Sequence, residues 1–215
     1  MNAMRGEPSC PKCGRRVRPP GLFADRWQCD VHGPVFPLQP VVPPSVEALR
    51  VVVHRARVPV WMPWPLPVGW LFTGVAYAGD DRSGGRATAV ACSGPGPLGG
   101  VGELLLIAEE LGVGLGARHA GLDGPDPGPH LCTAKAPHAK VLAGGRPTPL
   151  WHVGGTPEDR AVFAGEARGL WLWAIAWPEA AGLMLYDELV LADLREAGAE
   201  TDLVPCGALS PRLLA

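Results

Sequence analysis

The sequence predicts an α+β protein, in which a small metal-binding module at the N-terminus precedes a mainly antiparallel sheet domain with few helices. Three observations support this fold class. Two Cys/His pairs stand near the N-terminus, short turn-rich connections join the apolar segments after residue 69, and helical periodicity is confined to a few stretches. Because hairpin-length connections join antiparallel strands, whereas parallel strands need long crossovers, we expect a mainly antiparallel sheet.

The two N-terminal pairs have the spacing of metal ligands. The first pair lies in Cys10-Pro11-Lys12-Cys13-Gly14 and the second in Cys29-Asp30-Val31-His32-Gly33, with fifteen residues between Cys13 and Cys29. Two residues between the members of each pair let one tight turn direct both side chains to the same point, and glycine suits the left-handed backbone on which such turns end. A disulfide or unligated cysteines are the alternatives, and neither explains why a histidine completes the second pair.

The predicted metal ligands are Cys10, Cys13, Cys29 and His32. Three thiolates and one imidazole make up the four-coordinate, tetrahedral shell that is typical of structural zinc. A catalytic zinc keeps one position open for water or substrate, so a closed set of four protein ligands predicts a single structural Zn²⁺ ion.

The segment between the pairs fits a small hairpin. Residues 15–18 form one predicted arm, Pro19-Pro20-Gly21 the turn, and residues 22–28 the other arm. Trp27 is expected to pack over the metal, because so small a module has no other core and depends on its metal for stability. These residues resemble the zinc-ribbon superfamily and its paired CPxCG knuckles, with the last cysteine replaced by His32.

The whole chain also resembles an uncharacterised actinobacterial family of unknown function. The stretches that carry the resemblance are GEPSCPKCG at residues 6–14, WMPWPLPVGW at residues 61–70 and GDDRSGGR at residues 79–86. The match runs nearly from end to end. It implies an architecture, a zinc ribbon followed by a larger domain, and it implies no activity.

Length and composition indicate a small module plus one domain of ordinary size. The chain has 215 residues, of which 47% are hydrophobic, and its net charge of −2 argues against a molecule built as a whole to bind polyanions. A proline-rich stretch after residue 33 marks the boundary. The predicted division is a zinc ribbon over 1–36, a proline-rich linker with a short helix and a strap over 37–68, an α+β domain over 69–204, and a surface tail over 205–215.

The expected location is the cytoplasm. Six cysteines in a chain of this length do not indicate a disulfide scaffold, and residues 1–11 contain no apolar run of the kind that a secretory signal needs. The most apolar segment, residues 170–186, is interrupted by Pro178, Glu179 and Gly182 and falls short of the roughly 20 residues that span a membrane. We therefore predict reduced cysteines and no membrane partner.

Several elements of the larger domain are predicted from local patterns. Ser45 is a candidate cap for a helix, although the run of three valines from Val51 leaves a strand as the alternative. Residues 69–79 and 86–93 are typical of a hairpin with a turn between them. Residues 103–111 fit either a helix or a buried strand, and residues 112–128 are expected to form loops.

The last third of the chain is predicted to contain short strands followed by a helix. Residues 187–197 have amphipathic spacing, and the carboxylates of Asp187 and Glu188 suit the positive N-terminus of a helix. The strands are predicted at residues 140–142, 149–153, 160–164, 170–177 and 182–185.

The proline-rich stretch over residues 59–70 carries three tryptophans, Trp61, Trp64 and Trp70. Its closely spaced prolines exclude both a helix and a central strand, so the segment is expected to be extended. It either covers one open end of the core or forms a ledge for a ligand or partner. We favour the covering role, because tryptophans are usually buried for their large apolar area.

A second metal site is conceivable at His130, Cys132 and His138, with His119 or His152 as a further ligand. Their spacing matches no standard knuckle, and the sequence leaves this question open. The serines lie outside any G-x-S-x-G motif, and we find no constellation of acid, base and nucleophile.

Three classes of function remain. We favour a binding or regulatory module that makes protein contacts, over an enzyme with an unrecognised active site in the α+β domain and over a purely structural role for the ribbon. Nucleic acid is the weaker candidate as a partner. Arg15, Arg16 and Arg18 form a basic edge, but two or three phosphate contacts would give only weak, non-specific binding with a shallow salt dependence. The ligand, the partner and the oligomeric state do not follow from the sequence.

Overall fold

The computed structural model describes residues 6–22, 24–132 and 136–214, and it confirms the predicted α+β class. A nine-stranded sheet in this described part of the chain is accompanied by a two-stranded sheet near the N-terminus and by few helices. The α-helices are α1 (Val46–Arg55) and α2 (Leu115–Ala120). Short 3₁₀ segments occur at Gly128–His130, Glu179–Leu185, Ala199–Leu203 and Pro211–Leu214.

The strands follow one another with short connections. In chain order they are β1 (Gln28–Cys29), β2 (Gly33–Pro34), β3 (Trp61–Pro63), β4 (Leu71–Asp80), β5 (Gly84–Pro95), β6 (Val101–Glu109), β7 (Ala139–Ala143), β8 (Arg146–His152), β9 (Ala161–Ala167), β10 (Leu170–Trp177) and β11 (Leu189–Asp193). Strands β1 and β2 pair with each other, and the large sheet has the order β3-β11-β7-β8-β9-β10-β6-β5-β4. Every neighbouring pair is antiparallel except β7 with β11, which is parallel.

The central strands are buried on both faces, which explains their continuous apolar runs. In β6, Leu104 and Leu106 belong to one core, and Leu105 and Ile107 to the other. Because successive side chains of a strand point to opposite faces, a strand covered on both sides needs apolar residues at every position. The ambiguous residues 103–111 are therefore strand rather than helix, through the end of β6 at Glu109.

Helix α1 is present as predicted. The backbone N–H of Ala48 donates to Ser45 Oγ at 3.0 Å, so Ser45 caps the first turn. Leu49 and Val52 are the buried positions and pack into the larger core.

The tryptophan-rich stretch lies along the edge of the sheet. Its residues Trp61–Pro63 form β3, the edge strand that pairs with β11. Trp61 and Trp70 are buried in the larger core, and Trp64 packs against it. These positions favour the covering role over an exposed ledge.

Two predictions in the last third of the chain were wrong. Residues 187–197 do not form a helix, because Leu189–Asp193 pairs with two strands and buries Leu191 and Asp193 on one side. A pattern of apolar residues over so few positions fits both the helical and the strand period, and the pairing of β11 with β3 and β7 decides in favour of the strand. Residues 182–185 belong to a 3₁₀ segment rather than a strand.

The expected loop over residues 112–128 contains a short helix, α2. It packs against β6 and β10 on the face of the smaller core. The C-terminal tail also differs from expectation, because Ser210 and Leu213 are buried rather than on the surface. The backbone N–H of Ser210 donates to the carbonyl of Thr73 in β4.

Among the described residues, no helix combines the length and the apolar character that a membrane crossing would need.

Candidate metal centre

The Cys10–Cys13 pair, which we call the first knuckle, lies in a tight turn over residues 10–14. The Cys10 N–H donates to the carbonyl of Arg15 at 2.7 Å, and the Gly14 N–H donates to the carbonyl of Cys10 at 2.8 Å. Gly14 has a φ of +71°, a left-handed conformation that glycine adopts without steric cost. The turn thereby brings the Cys10 and Cys13 side chains to one side.

The second knuckle connects the two short N-terminal strands. Cys29 ends β1 and is paired with Gly33, the first residue of β2. Gly33 has a φ of +65°. The intervening turn places His32 next to Cys29, with Cys29 Sγ and His32 Nδ1 separated by 3.7 Å.

All four predicted ligands come together, at distances compatible with one tetrahedral shell. Cys10 Sγ lies 3.5 Å from His32 Nδ1, Cys13 Sγ lies 3.8 Å from Cys29 Sγ, and all four ligand atoms are within 4.8 Å of one another. Metal–sulfur bonds of ~2.3 Å and metal–nitrogen bonds of ~2.0–2.1 Å at tetrahedral angles require S···S edges of about 3.8 Å and S···N edges of about 3.6 Å. The side chains therefore fit one ion, and within the described residues they are the only His, Cys, Asp or Glu group of three or more with this property.

The thiols differ in how readily they ionise. Burial raises the pKa of Cys10 to about 12, against hydrogen bonds from the backbone N–H groups of Lys12 and Cys13 that favour the thiolate. Burial also opposes ionisation of Cys29, but the N–H groups of Val31 and His32 outweigh it and lower its pKa to about 6. A bound divalent cation supplies the positive charge that deprotonates coordinating thiols outright.

Arg118, in α2, lies beneath the first knuckle. A Cβ atom placed on Gly14 would be 2.8 Å from Arg118 Nη2, so the guanidinium packs directly on the turn. Burial lowers the pKa of Arg118, while the charges of Cys10 and Cys13 raise it. The cation is therefore placed to offset the negative charge of a thiolate site. Sequence analysis missed this contact, because more than a hundred residues separate the partners and no local pattern marks Arg118.

A buried carboxyl group holds α2 in position. The Glu109 carboxylate accepts hydrogen bonds from the N–H groups of Leu115 at 2.7 Å and Gly116 at 3.1 Å. Burial raises the pKa of Glu109 to about 8, against these donors and the Trp173 indole. Burial also lowers the pKa of His119 to about 3, together with repulsion from nearby arginines, so this histidine is neutral at pH 7.

The ribbon is docked on the sheet domain through its second arm. Trp27 packs against the small core of Cys10, Val17 and Cys29, as expected, and its Nε1–H also donates to the Asp80 carboxylate at 3.0 Å. Asp80 is the last residue of β4, next to the turn that leads to β5. The segment after the ribbon continues the contact, since the Gly79 N–H donates to the carbonyl of Pro37, and Leu38 forms a bridge with Ala78.

The basic edge of the ribbon is largely neutralised by its own acidic residues. Arg16 pairs with Glu7 at 2.6 Å, and Arg18 pairs with Asp30 at 2.9 Å. Of the three arginines in this edge, Arg15 is the one for which the described residues provide no ion-pair partner.

The candidates for a second metal site do not converge. His138 Nδ1 accepts a hydrogen bond from the backbone N–H of His152, whereas the His130 ring lies against Gly155. Cys132 is exposed, and His130, Cys132 and His138 are absent from the converging ligand groups of the described residues. Residues 133–135, between Cys132 and His138, lie outside the described part of the chain.

Comparison with known proteins places the chain in a family without assigning an activity. No curated protein and no solved structure matches the sequence. The model of one family, described as a family of unknown function, matches residues 4–213. The match includes all four ligands and the complete nine-stranded sheet, and the chain therefore belongs to the family of unknown function DUF6758.

Proposed function

We propose that this protein is a cytoplasmic binding or regulatory module that holds one structural zinc ion in its N-terminal ribbon and uses the ribbon for protein contacts. The observation that carries the zinc assignment is the closed tetrahedral set of Cys10, Cys13, Cys29 and His32. Three thiolates with one imidazole form a typical structural zinc shell and leave no open position for substrate. All six cysteines are free, which suits a reducing compartment.

The preference for a protein partner rests on the charged and apolar side chains at the surface of the ribbon. Its arginines Arg16 and Arg18 are already paired with carboxylates, so few cations remain for phosphate contacts. The tip of the ribbon instead presents Leu22, whose exposed fraction is 99%. An apolar side chain at a projecting turn gains more from burial in a protein interface than from contact with a phosphate backbone.

The decisive experiment is affinity capture of the native protein from its own cell extract, with the captured material analysed for both protein and nucleic acid. We expect specific protein partners that are retained by the wild type and lost with Cys13→Ser and with Leu22→Asp. Leu203→Asp, which changes a leucine of 82% exposed fraction outside the ribbon, is the matched control and should retain them.

A direct binding assay separates the two partner classes. At physiological salt we expect the ribbon to bind nucleic acid no tighter than the ~10⁻⁴–10⁻⁶ M of non-specific complexes. Tight binding that disappears when Arg15, Arg16 and Arg18 are changed to alanine would overturn the proposal in favour of a nucleic-acid-binding protein.

A further inference from the structure

A cleft opens where the ribbon meets the sheet domain, and we call it the junction cleft. Its volume is about 470 Å³, which is in the range of small-molecule sites. One wall comes from the ribbon and the segment that follows it, with Lys12, Arg26, Trp27 and Phe36. The turn between β4 and β5 and the residues after β6 form the other wall. The cleft exists only while the ribbon is docked.

The charge of the lining is positive. Four basic side chains, Lys12, Arg26, Arg82 and Arg86, stand against two acidic ones, Asp25 and Asp80, which gives a net charge of +2.

The Asp80 carboxylate is already occupied by donors. It accepts hydrogen bonds from the Trp27 indole at 3.0 Å and from the N–H groups of Arg82 at 3.1 Å and Ser83 at 2.8 Å. These neutral donors hold the carboxylate oxygens within the protein, and the charge of Asp80 is already included in the net +2 of the lining.

Two of the four basic side chains have neither an ion pair nor a hydrogen bond among the described residues. Arg86 donates to Glu110 at 2.7 Å, and Arg82 donates to the backbone carbonyl of Asp25 at 3.3 Å. Within the described residues, by contrast, the side chains of Lys12 and Arg26 make no ion pair or hydrogen bond. Two unpaired cations at one cleft match the two negative charges of a phosphate monoester.

The same cleft offers flat apolar surface. Trp27 and Phe36 line it, and the Arg86 guanidinium lies over the Phe36 ring at 5.8 Å from its centroid. Leu111, also in the lining, has an exposed fraction of 72%. Aromatic rings beside a stacked guanidinium are the groups on which planar heterocycles pack.

We propose that the junction cleft binds a small phosphorylated molecule with a flat ring, of nucleoside monophosphate size. Lys12 and Arg26 bind the phosphate, and the ring packs among Trp27, Phe36 and Leu111. The site rests on the docked, metal-bound ribbon of the proposed function, and it adds a small-molecule ligand to the protein contacts proposed there.

The test is titration of the zinc-loaded full chain, by calorimetry and by NMR of the Trp27 indole N–H signal. The probes are the adenosine, guanosine, cytidine and uridine monophosphates and flavin mononucleotide. Adenosine supplies the ring alone and inorganic phosphate the anion alone. We expect saturable binding of at least one phosphorylated probe, at least about tenfold tighter than either adenosine or phosphate, with a shift of the Trp27 signal.

Variants locate the site. Lys12→Ala and Arg26→Ala should each weaken binding by about tenfold, whereas Arg15→Ala, which removes the same charge from the ribbon outside the cleft, should leave it unchanged. The inference is overturned if no phosphorylated probe saturates up to about 5 mM. Equal losses in the Arg15 and Arg26 variants, or no loss in any variant, also overturn it. If the protein binds zinc but none of the probes, only the ligand site is contradicted and the proposed function is unaffected. If the chain takes up no zinc, the proposed function itself is contradicted.

Discussion

The ribbon and the sheet domain are stabilised in different ways. The buried apolar cluster of the ribbon consists of Cys10, Val17 and Cys29, and two of these three belong to the candidate metal site. The sheet has apolar cores on both faces, which include large, fully buried side chains such as Leu172 and Trp173. A cluster of three residues cannot offset the conformational entropy lost on folding, whereas two extended cores can. We therefore expect the ribbon to depend on a bound metal ion for its stability, and the sheet to fold without one.

The two regions are nevertheless joined by specific contacts. Arg118 supports the first knuckle from α2, and Asp80 accepts the Trp27 indole hydrogen bond. Dependence is expected to run in one direction: the sheet folds without the ribbon's metal, while the ribbon needs both the metal and the sheet surface for its observed position. Substitutions in each region therefore test whether the ribbon and the sheet are stabilised separately.

Removal of a metal ligand should have the largest effect. Cys10→Ser should abolish binding of one zinc equivalent and unfold the ribbon, because apparent zinc-binding energies of ~10–16 kcal/mol in zinc-finger peptides are also folding energies. Metal analysis and amide exchange measure the two results. The control is Cys206→Ser, which alters an exposed cysteine outside the site. A Cys10→Ser protein with a full zinc equivalent would show that the ligands are wrongly assigned.

A core truncation in the sheet should lower the stability of the sheet and leave zinc binding intact. Leu172→Ala removes a fully buried side chain of β10 and should lower the free energy of unfolding by about 2–5 kcal/mol, while one zinc equivalent remains bound. Denaturant unfolding and metal analysis are the measurements. Leu203→Ala, at an exposed leucine, should change stability by less than about 0.5 kcal/mol. Loss of zinc from folded Leu172→Ala protein would mean that the ribbon is not independently held by its metal.

The buried Glu109 should make the stability of the sheet domain depend on pH. Because its pKa is raised from 4.5 to about 8, the folded state binds the proton more tightly than the unfolded state. This contribution is complete below pH ~4.5 and is lost as pH rises through 8, at up to ~1.4 kcal/mol per pH unit. Between pH ~7 and ~8 His119 adds little to the pH dependence of stability. It is neutral in the folded state, and in the unfolded state it is protonated mainly below its pKa of ~6.5.

Denaturant unfolding of the wild type and of Glu109→Gln across that interval measures the effect. The wild type should lose stability as pH rises, and the glutamine variant, which cannot titrate there, should lose much less. Parallel pH profiles for the two proteins would rule out a protonated Glu109 in the folded state.

The docking contact should have the smallest effect. Trp27→Phe keeps an aromatic ring over the metal but removes the hydrogen bond to Asp80, a loss of about 1 kcal/mol for a partly exposed pair. We expect full zinc content, an unchanged unfolding midpoint of the sheet, and faster amide exchange in the ribbon. Exchange as slow as in the wild type would mean that this bond does not hold the ribbon in place.

The features that sequence predicted are local ones. The convergence of the four candidate ligands follows from two pairs with two-residue spacing, and the hairpin of β4 and β5 follows from apolar strands around a turn-rich segment. Helix α1 follows from the Ser45 cap. In each case the residues that determine the structure are near neighbours in the chain.

The features that escaped prediction depend on distant contacts. The segment of β11 is a strand because β3 and β7 provide its hydrogen bonds, and both lie far from it in sequence. The role of Arg118 follows only from the packing of α2 under Gly14. The role of Glu109 follows only from its hydrogen bonds with the backbone N–H groups of α2. Secondary-structure propensity and periodicity carry no information on such pairings, so these contacts can be identified only in the folded structure.

We propose that one metal ion, held by Cys10, Cys13, Cys29 and His32, organises the ribbon on a sheet that folds without it. The most direct test is amide hydrogen exchange of the full chain before and after zinc is removed by a chelator at neutral pH. We predict that residues 6–36 lose their protection, while strands β4–β6 and β9–β10 keep theirs, and that added zinc restores the ribbon. Unchanged protection in the ribbon, or equal loss of protection in the ribbon and the sheet, would contradict this account.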